Sequence, residues 1–208
     1  MNKLLNLLTL SLLSLCSIVC AQTESAKRQN ENYLVYDAVI RRMFAGDKVT
    51  FDTQSKIKEV IIRQETTTDY AVAEKKEDWP EVKRRLPTLS DETIADFEAN
   101  HKLSTALKRS FDLSLKYSLF SKHDFDIIFD AGSNIDRMAD NWAKFYQKFL
   151  DSGGYVQLSN VGLNKSRDQA LVFVVHWCGV VCGTGHYIVL NKKDQVWNVE
   201  QIGMIWVS

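Results

Sequence analysis

QALVFVVHWCGVVCGTGHYIVL, residues 169–190, reads as two strands folded back on a tight tip. In the first strand Leu171, Phe173 and Val175 point one way and Ala170, Val172 and Val174 the other, because successive strand side chains alternate between faces. A strand that is apolar on both faces is covered on both. Gly179 and Gly183 bracket the tip and supply backbone freedom for the reversal.

Residues 155–161 and 196–207 are equally β-rich, and the connections 162–168, 179–183 and 191–194 are short. Short connections join antiparallel neighbours, so these segments predict a four-stranded antiparallel meander. Just upstream, a helix is expected from Ser133. It carries Ile135, Met138, Trp142, Phe145 and Phe149 at steps of three and four, with Gly153-Gly154 placed to close it. This helix is the expected cover for one face of the sheet.

The N-terminal half is read as helices and one strand. Val35, Tyr36, Val39, Ile40 and Met43 give residues 32–44 a helical stripe, with Gly46 as its stop. Ile57, Val60, Ile61 and Ile62 make residues 56–66 a strand. Residues 69–88 are charged and hold both prolines, Pro80 and Pro87, which predicts a long surface connection. Ser90 is the expected N-cap of the next helix, and a further helix or pair is expected over 103–119. The fold class is therefore α+β: N-terminal helices and one strand, then a long helix on the meander, with residues 32–208 as a single domain.

Residues 1–21 have the three parts of a cleavable signal peptide: Lys3, an apolar run over 4–19, and Val19-Cys20-Ala21 ahead of Gln22. The run is shorter than the roughly 20 residues a spanning helix needs. Leu15 and Val19 are bulky where a lipid-attachment signal has a small residue. The expected mature chain starts at Gln22, has a flexible start over 22–31 and has no transmembrane segment. Export implies the periplasm or the medium. The signal removes Lys3 alone among charged residues, so 26 acidic residues face one fewer basic. That balance excludes a nucleic-acid partner, which draws a basic excess.

His176, Cys178, Cys182 and His186 form the one cluster that could carry chemistry, and three chemistries compete for it. A disulfide across the hairpin tip fits, since opposed strand Cα atoms lie about 4.5–5.5 Å apart. A zinc site matches the residue types. In that same register, however, His186 faces Val174, four residues and roughly 13 Å from the sulfurs. A catalytic cysteine with a histidine base needs a free thiol, which an oxidising compartment opposes. Asp124, Asp126 and Asp130 read as a solvated acidic face. Nucleotide-binding, metalloprotease and serine-hydrolase motifs are absent from the sequence, so no cofactor is expected.

The C-terminal half resembles a family of exported bacterial proteins without an assigned function. The resemblance rests on Trp142 and Phe145, Gly153-Gly154, residues 158–164, residues 169–172, Cys178-Gly179-Val180-Val181-Cys182-Gly183, Tyr187, and Trp197 through the closing Trp206-Val207-Ser208. It covers residues 130–208 closely and 33–66 loosely. The family pattern has an aromatic where Leu163 stands and does not require His176 or His186. The resemblance implies a bacterial exported protein with a disulfide hairpin, and supplies no activity. The expected function is a non-enzymatic envelope or secreted binding module for a protein or small-molecule ligand. The alternative is a hydrolase whose site sequence does not reveal.

Overall fold

The structure, a computed structural model, describes residues 2–44, 57–68, 78–129 and 135–208. The expected helix signals Gly46 and Ser133, and residues 69–77 of the charged connection, lie outside them. The chain runs α1 (Asn2–Phe44), β1 (Glu59–Arg63), α2 (Trp79–Arg85), α3 (Asp91–Asn100), β2 (Lys116–Phe120), α4 (Lys122–Ile128), α5 (Ile135–Lys148), β3 (Ser152–Leu158), β4 (Gly162–Leu163), β5 (Gln169–Gly179), β6 (Cys182–Lys193) and β7 (Val196–Val207). Among the described residues, no helix is long and apolar enough to cross a membrane.

The fold is a mixed α+β arrangement on one seven-stranded sheet. Its order is β2-β1-β3-β5-β6-β7, with β4 also paired to β5. The expected four-stranded antiparallel sheet is corrected here. β3, β5, β6 and β7 do pair antiparallel in sequence order, but β1 joins β3 in parallel and β2 joins β1 in parallel. Parallel neighbours need crossover connections, and α2–α3 and α4–α5 lie in those crossovers.

Strand alternation assigns the two faces. Val60, Ile62, Val156, Leu158, Val172, Val174, Ile188 and Leu190 meet Tyr36, Val39, Ile40 and Met43 of α1. On the opposite face, Leu171, Phe173, Tyr187 and Val189 pack on Val82, Leu86, Ile94 and Phe97 of the α2–α3 region. Beside them Ile61, Phe120 and Tyr155 pack on Trp142, Phe145 and Phe149. The α5 helix therefore covers the β1–β3 end, while α3 and α1 cover the two faces of β5. The expectation that α5 covers one face of the sheet holds only at this end; over β5 and β6 the same face is covered by the α2–α3 region.

Three further expectations differ from the structure. Residues 22–31, read as a flexible start, continue α1 as helix, held by Arg28–Asp96 and Glu24–Arg167 ion pairs. Residues 103–119 form no helix; they run as irregular chain into β2. Gly153 and Gly154 belong to β3 rather than to a helix end. Gly154 has φ 106°, and a Cβ there would sit 2.0 Å from the Trp177 carbonyl oxygen, so glycine is required by backbone conformation and close approach together. Ser90 does cap α3, its hydroxyl accepting from the Thr93 N–H at 3.2 Å.

Candidate functional site: the cleft between α1 and α3

The two histidines of the hairpin cluster are buried, while its two cysteines are half-buried at the tip. Trp177 pairs with Gly183 and Gly179 with Cys182, leaving Cys178 bulged. Cys178 and Cys182 are disulfide-bonded with Cα atoms 5.0 Å apart. Tyr146 of α5 donates to the Cys178 carbonyl at 2.8 Å, which pins the tip against the helix. Val174 faces His186 and His176 faces Thr184, so both histidines share the α1-covered face.

His176 is 1% exposed. Its Nε2 lies 2.8 Å from the Gly153 carbonyl oxygen, and Phe44 closes over the ring edge-on with centroids 5.5 Å apart. Burial pushes its pKa down to about 4, and burial lowers His186 as well. These imidazoles are neutral at pH 7 and buried, and the cysteines of the same hairpin are oxidised. The arrangement braces the sheet. Among the described residues, no three His, Cys, Asp or Glu side chains are arranged to hold a metal ion. Asp124 pairs with Lys148 and Asp126 with Lys122, placing both on ion-paired surface.

A different set of residues lines open space. Ser25, Arg28, Gln29 and Asn32 fall at i, i+3, i+4 and i+7 on α1, one helix face. They form a wall of a cleft of about 580 Å³ whose other walls are Ala99, Asn100, Lys102, Leu103 and Thr105 after and at the end of α3, and Asn160 and Val161 before β4. A second cleft of about 610 Å³ continues past Arg28 along the start of α3, lined by Asp96, Asn164, Lys165 and Arg167 among others.

Hydrogen bonds, most of them part-buried, fix the cleft walls. Arg28 donates to both Asp96 oxygens at 3.2 and 2.6 Å, and to the Val161 carbonyl at 3.1 Å. Asp96 also accepts from the Leu163 N–H at 2.7 Å. One ion pair thus ties α1 to α3 and to β4, and separates the two clefts. Asn160 Nδ2 donates to the Asn100 and Leu103 carbonyls at 2.8 and 2.7 Å, and its Oδ1 accepts from Thr66 at 3.2 Å. The Ser104 hydroxyl donates to the Thr66 carbonyl at 2.6 Å. A binding surface held this way meets a ligand without ordering cost.

Sequence reading missed the α1 wall, because residues 22–31 are polar and lack the apolar stripe that marks a helix. The available signal was a polar stripe in register with the helix that follows. Asn160, Val161, Leu163 and Asn164 fall within residues 158–164, the stretch that carries the resemblance, yet nothing local marks them as cleft residues. Compared with known protein families, curated proteins and solved structures, the chain matches none.

Proposed function

We propose that the protein is an exported bacterial binding module, non-enzymatic, whose ligand occupies the α1–α3 cleft. The observation that carries this reading is the cleft itself. At about 580 Å³ it lies within the 300–1,000 Å³ of small-ligand sites, and its walls are pre-ordered by Asn160 and Arg28. The groups with catalytic chemistry point the same way by their position. The cysteines are joined and His176 is buried with a depressed pKa, so the hairpin cluster presents neither nucleophile nor base to a substrate. Export is supported by the three-part pattern of residues 1–21 and by a disulfide, which persists in oxidising compartments.

The test uses the chain from Gln22 to Ser208, screened by thermal shift against N-acetyl amino acids, short peptides and monosaccharides, beside the Ser25→Trp variant. Ser25 is exposed, so the indole fills the cleft without touching the core. At roughly a hundredfold excess over Kd, a bound ligand raises Tm by about 5–10 °C, and the variant loses the rise. A panel that shifts nothing, or that shifts the variant equally, overturns the proposal.

A further inference from the structure

We infer that the cleft recognises a carboxylate next to a short apolar group, as in the free C-terminus of a peptide or in an N-acylated amino acid. This rests on the α1–α3 cleft being the binding site, and adds the ligand's class. Among the described residues, the charges that line it are Arg28 and Lys102, and no acidic residue lines it. Asp96, the partner of Arg28, lines the neighbouring cleft instead. Arg28 commits three N–H groups to Asp96 and Val161 out of the five a guanidinium carries, leaving two for a ligand oxygen. Lys102 is exposed and makes no ion pair among the described residues.

The apolar side of the cleft is Ala99, Val161 and Leu103, the last 76% exposed. A large apolar side chain left open beside two cations is a surface for an aliphatic group. Asn32 lines the same cleft, and its Oδ1 is buried with no hydrogen-bond partner. That atom is closed to solvent, so the amide N–H next to the ligand's carboxylate is matched instead by the side-chain carbonyl of Gln29, exposed on the same helix face. Among the described residues, no Trp, Tyr or Phe lines either cleft, so a sugar ring finds no aromatic face among them to stack on.

Calorimetric titration of residues 22–208 with three probes tests the inference: acetyl-Gly-Gly-Leu as the free acid, the same peptide as its C-terminal amide, and N-acetyl-leucine. The free acid binds at least about tenfold tighter than the amide, the worth of a charge-assisted hydrogen bond. Lys102→Gln weakens the acid about threefold and leaves the amide unchanged, as loss of an exposed charge pair does. N-acetyl-leucine binding as well as the peptide acid identifies a small carboxylate ligand; binding about tenfold weaker identifies a peptide C-terminus. Equal binding of acid and amide, both lost in Ser25→Trp, overturns the carboxylate inference and leaves the binding module standing. None of the three probes binding overturns the carboxylate inference as well, while a silent result across the whole screening panel overturns the module itself.

Discussion

His176 occupies a core position where an aliphatic residue would follow the pattern of Val172 and Val174. Its neighbours are Phe44 from α1, the Gly153 carbonyl from β3 and the His186 ring from β6. None offers a negative charge, so desolvation wins and the folded pKa falls to about 4 from an ordinary value of 6.5. Between those two values the unfolded chain binds a proton that the folded chain refuses. Stability is therefore full above pH 6.5 and is lost as pH falls toward 4. From pH 7 to pH 5 this one residue costs about 2 kcal/mol, and His186 acts in the same direction. Urea midpoints at the two pH values should fall less for His176→Gln than for the native protein, by about that amount. Equal falls would show that the imidazole accepts its proton in place. The sequence revealed that both histidines lie on the hairpin that carries the cysteines. It could not reveal which side chain closes over His176, because that lid is Phe44, far upstream in the chain.

At the scale of elements, α5 is the best-read segment. Trp142 is 7% exposed and its ring lies 5.1 Å from Phe129, 5.3 Å from Phe145 and 5.8 Å from Tyr155, centroid to centroid. Trp142→Ala should destabilise by about 3–5 kcal/mol, read as a drop in denaturant midpoint; an unchanged midpoint would mean the ring packs on nothing that matters. Met138, on the same expected stripe, is 36% exposed and sits at its rim. Periodicity finds such a stripe because it is a local property. It fails for 103–119, where partners are distant. There the Asp112 N–H donates to the buried Asp37 carboxylate, the Lys108 N–H to the Tyr33 hydroxyl, and the Leu107 N–H to the Gln64 carbonyl. Side chains of α1 and the backbone just after β1 satisfy amides of this segment in place of a helical ladder, a tertiary override of local propensity. The same reasoning explains the parallel strands. Glu59 to Arg63 finds Lys116 to Phe120 and the start of β3 only after two crossovers, which no short-range signal encodes. The cleft was illegible for a further reason: its three walls come from segments separated by more than fifty residues along the chain.

For the molecule as a whole, α1 is the element on which one sheet face depends. Tyr33, Val35, Tyr36, Val39, Ile40, Met43 and Phe44 are all buried. At about 1.5–3 kcal/mol for each large apolar side chain, this face contributes roughly 10–20 kcal/mol, an upper figure because unfolded chains already hide some apolar area. Net stabilities of domains are about 5–15 kcal/mol, so the helix is not an accessory that the sheet can lose. The polar contacts run the same way: Glu31 accepts from the Trp197 indole at 2.6 Å and pairs with Lys192, tying α1 to the β6–β7 end, while Asp37 holds the 107–113 segment. Every one of these side chains lies after Gln22. A chain starting at Gln22 should therefore melt in one cooperative transition, whereas a chain starting at Ala45 should show no cooperative transition and should expose the Val172, Val174 and Ile188 face to a hydrophobic dye. Differential scanning calorimetry on the two chains decides the matter. A cooperative transition in the shorter chain would show that the sheet is stabilised from its α2–α5 side alone, and would remove α1 from the core and reduce it to a wall of the cleft.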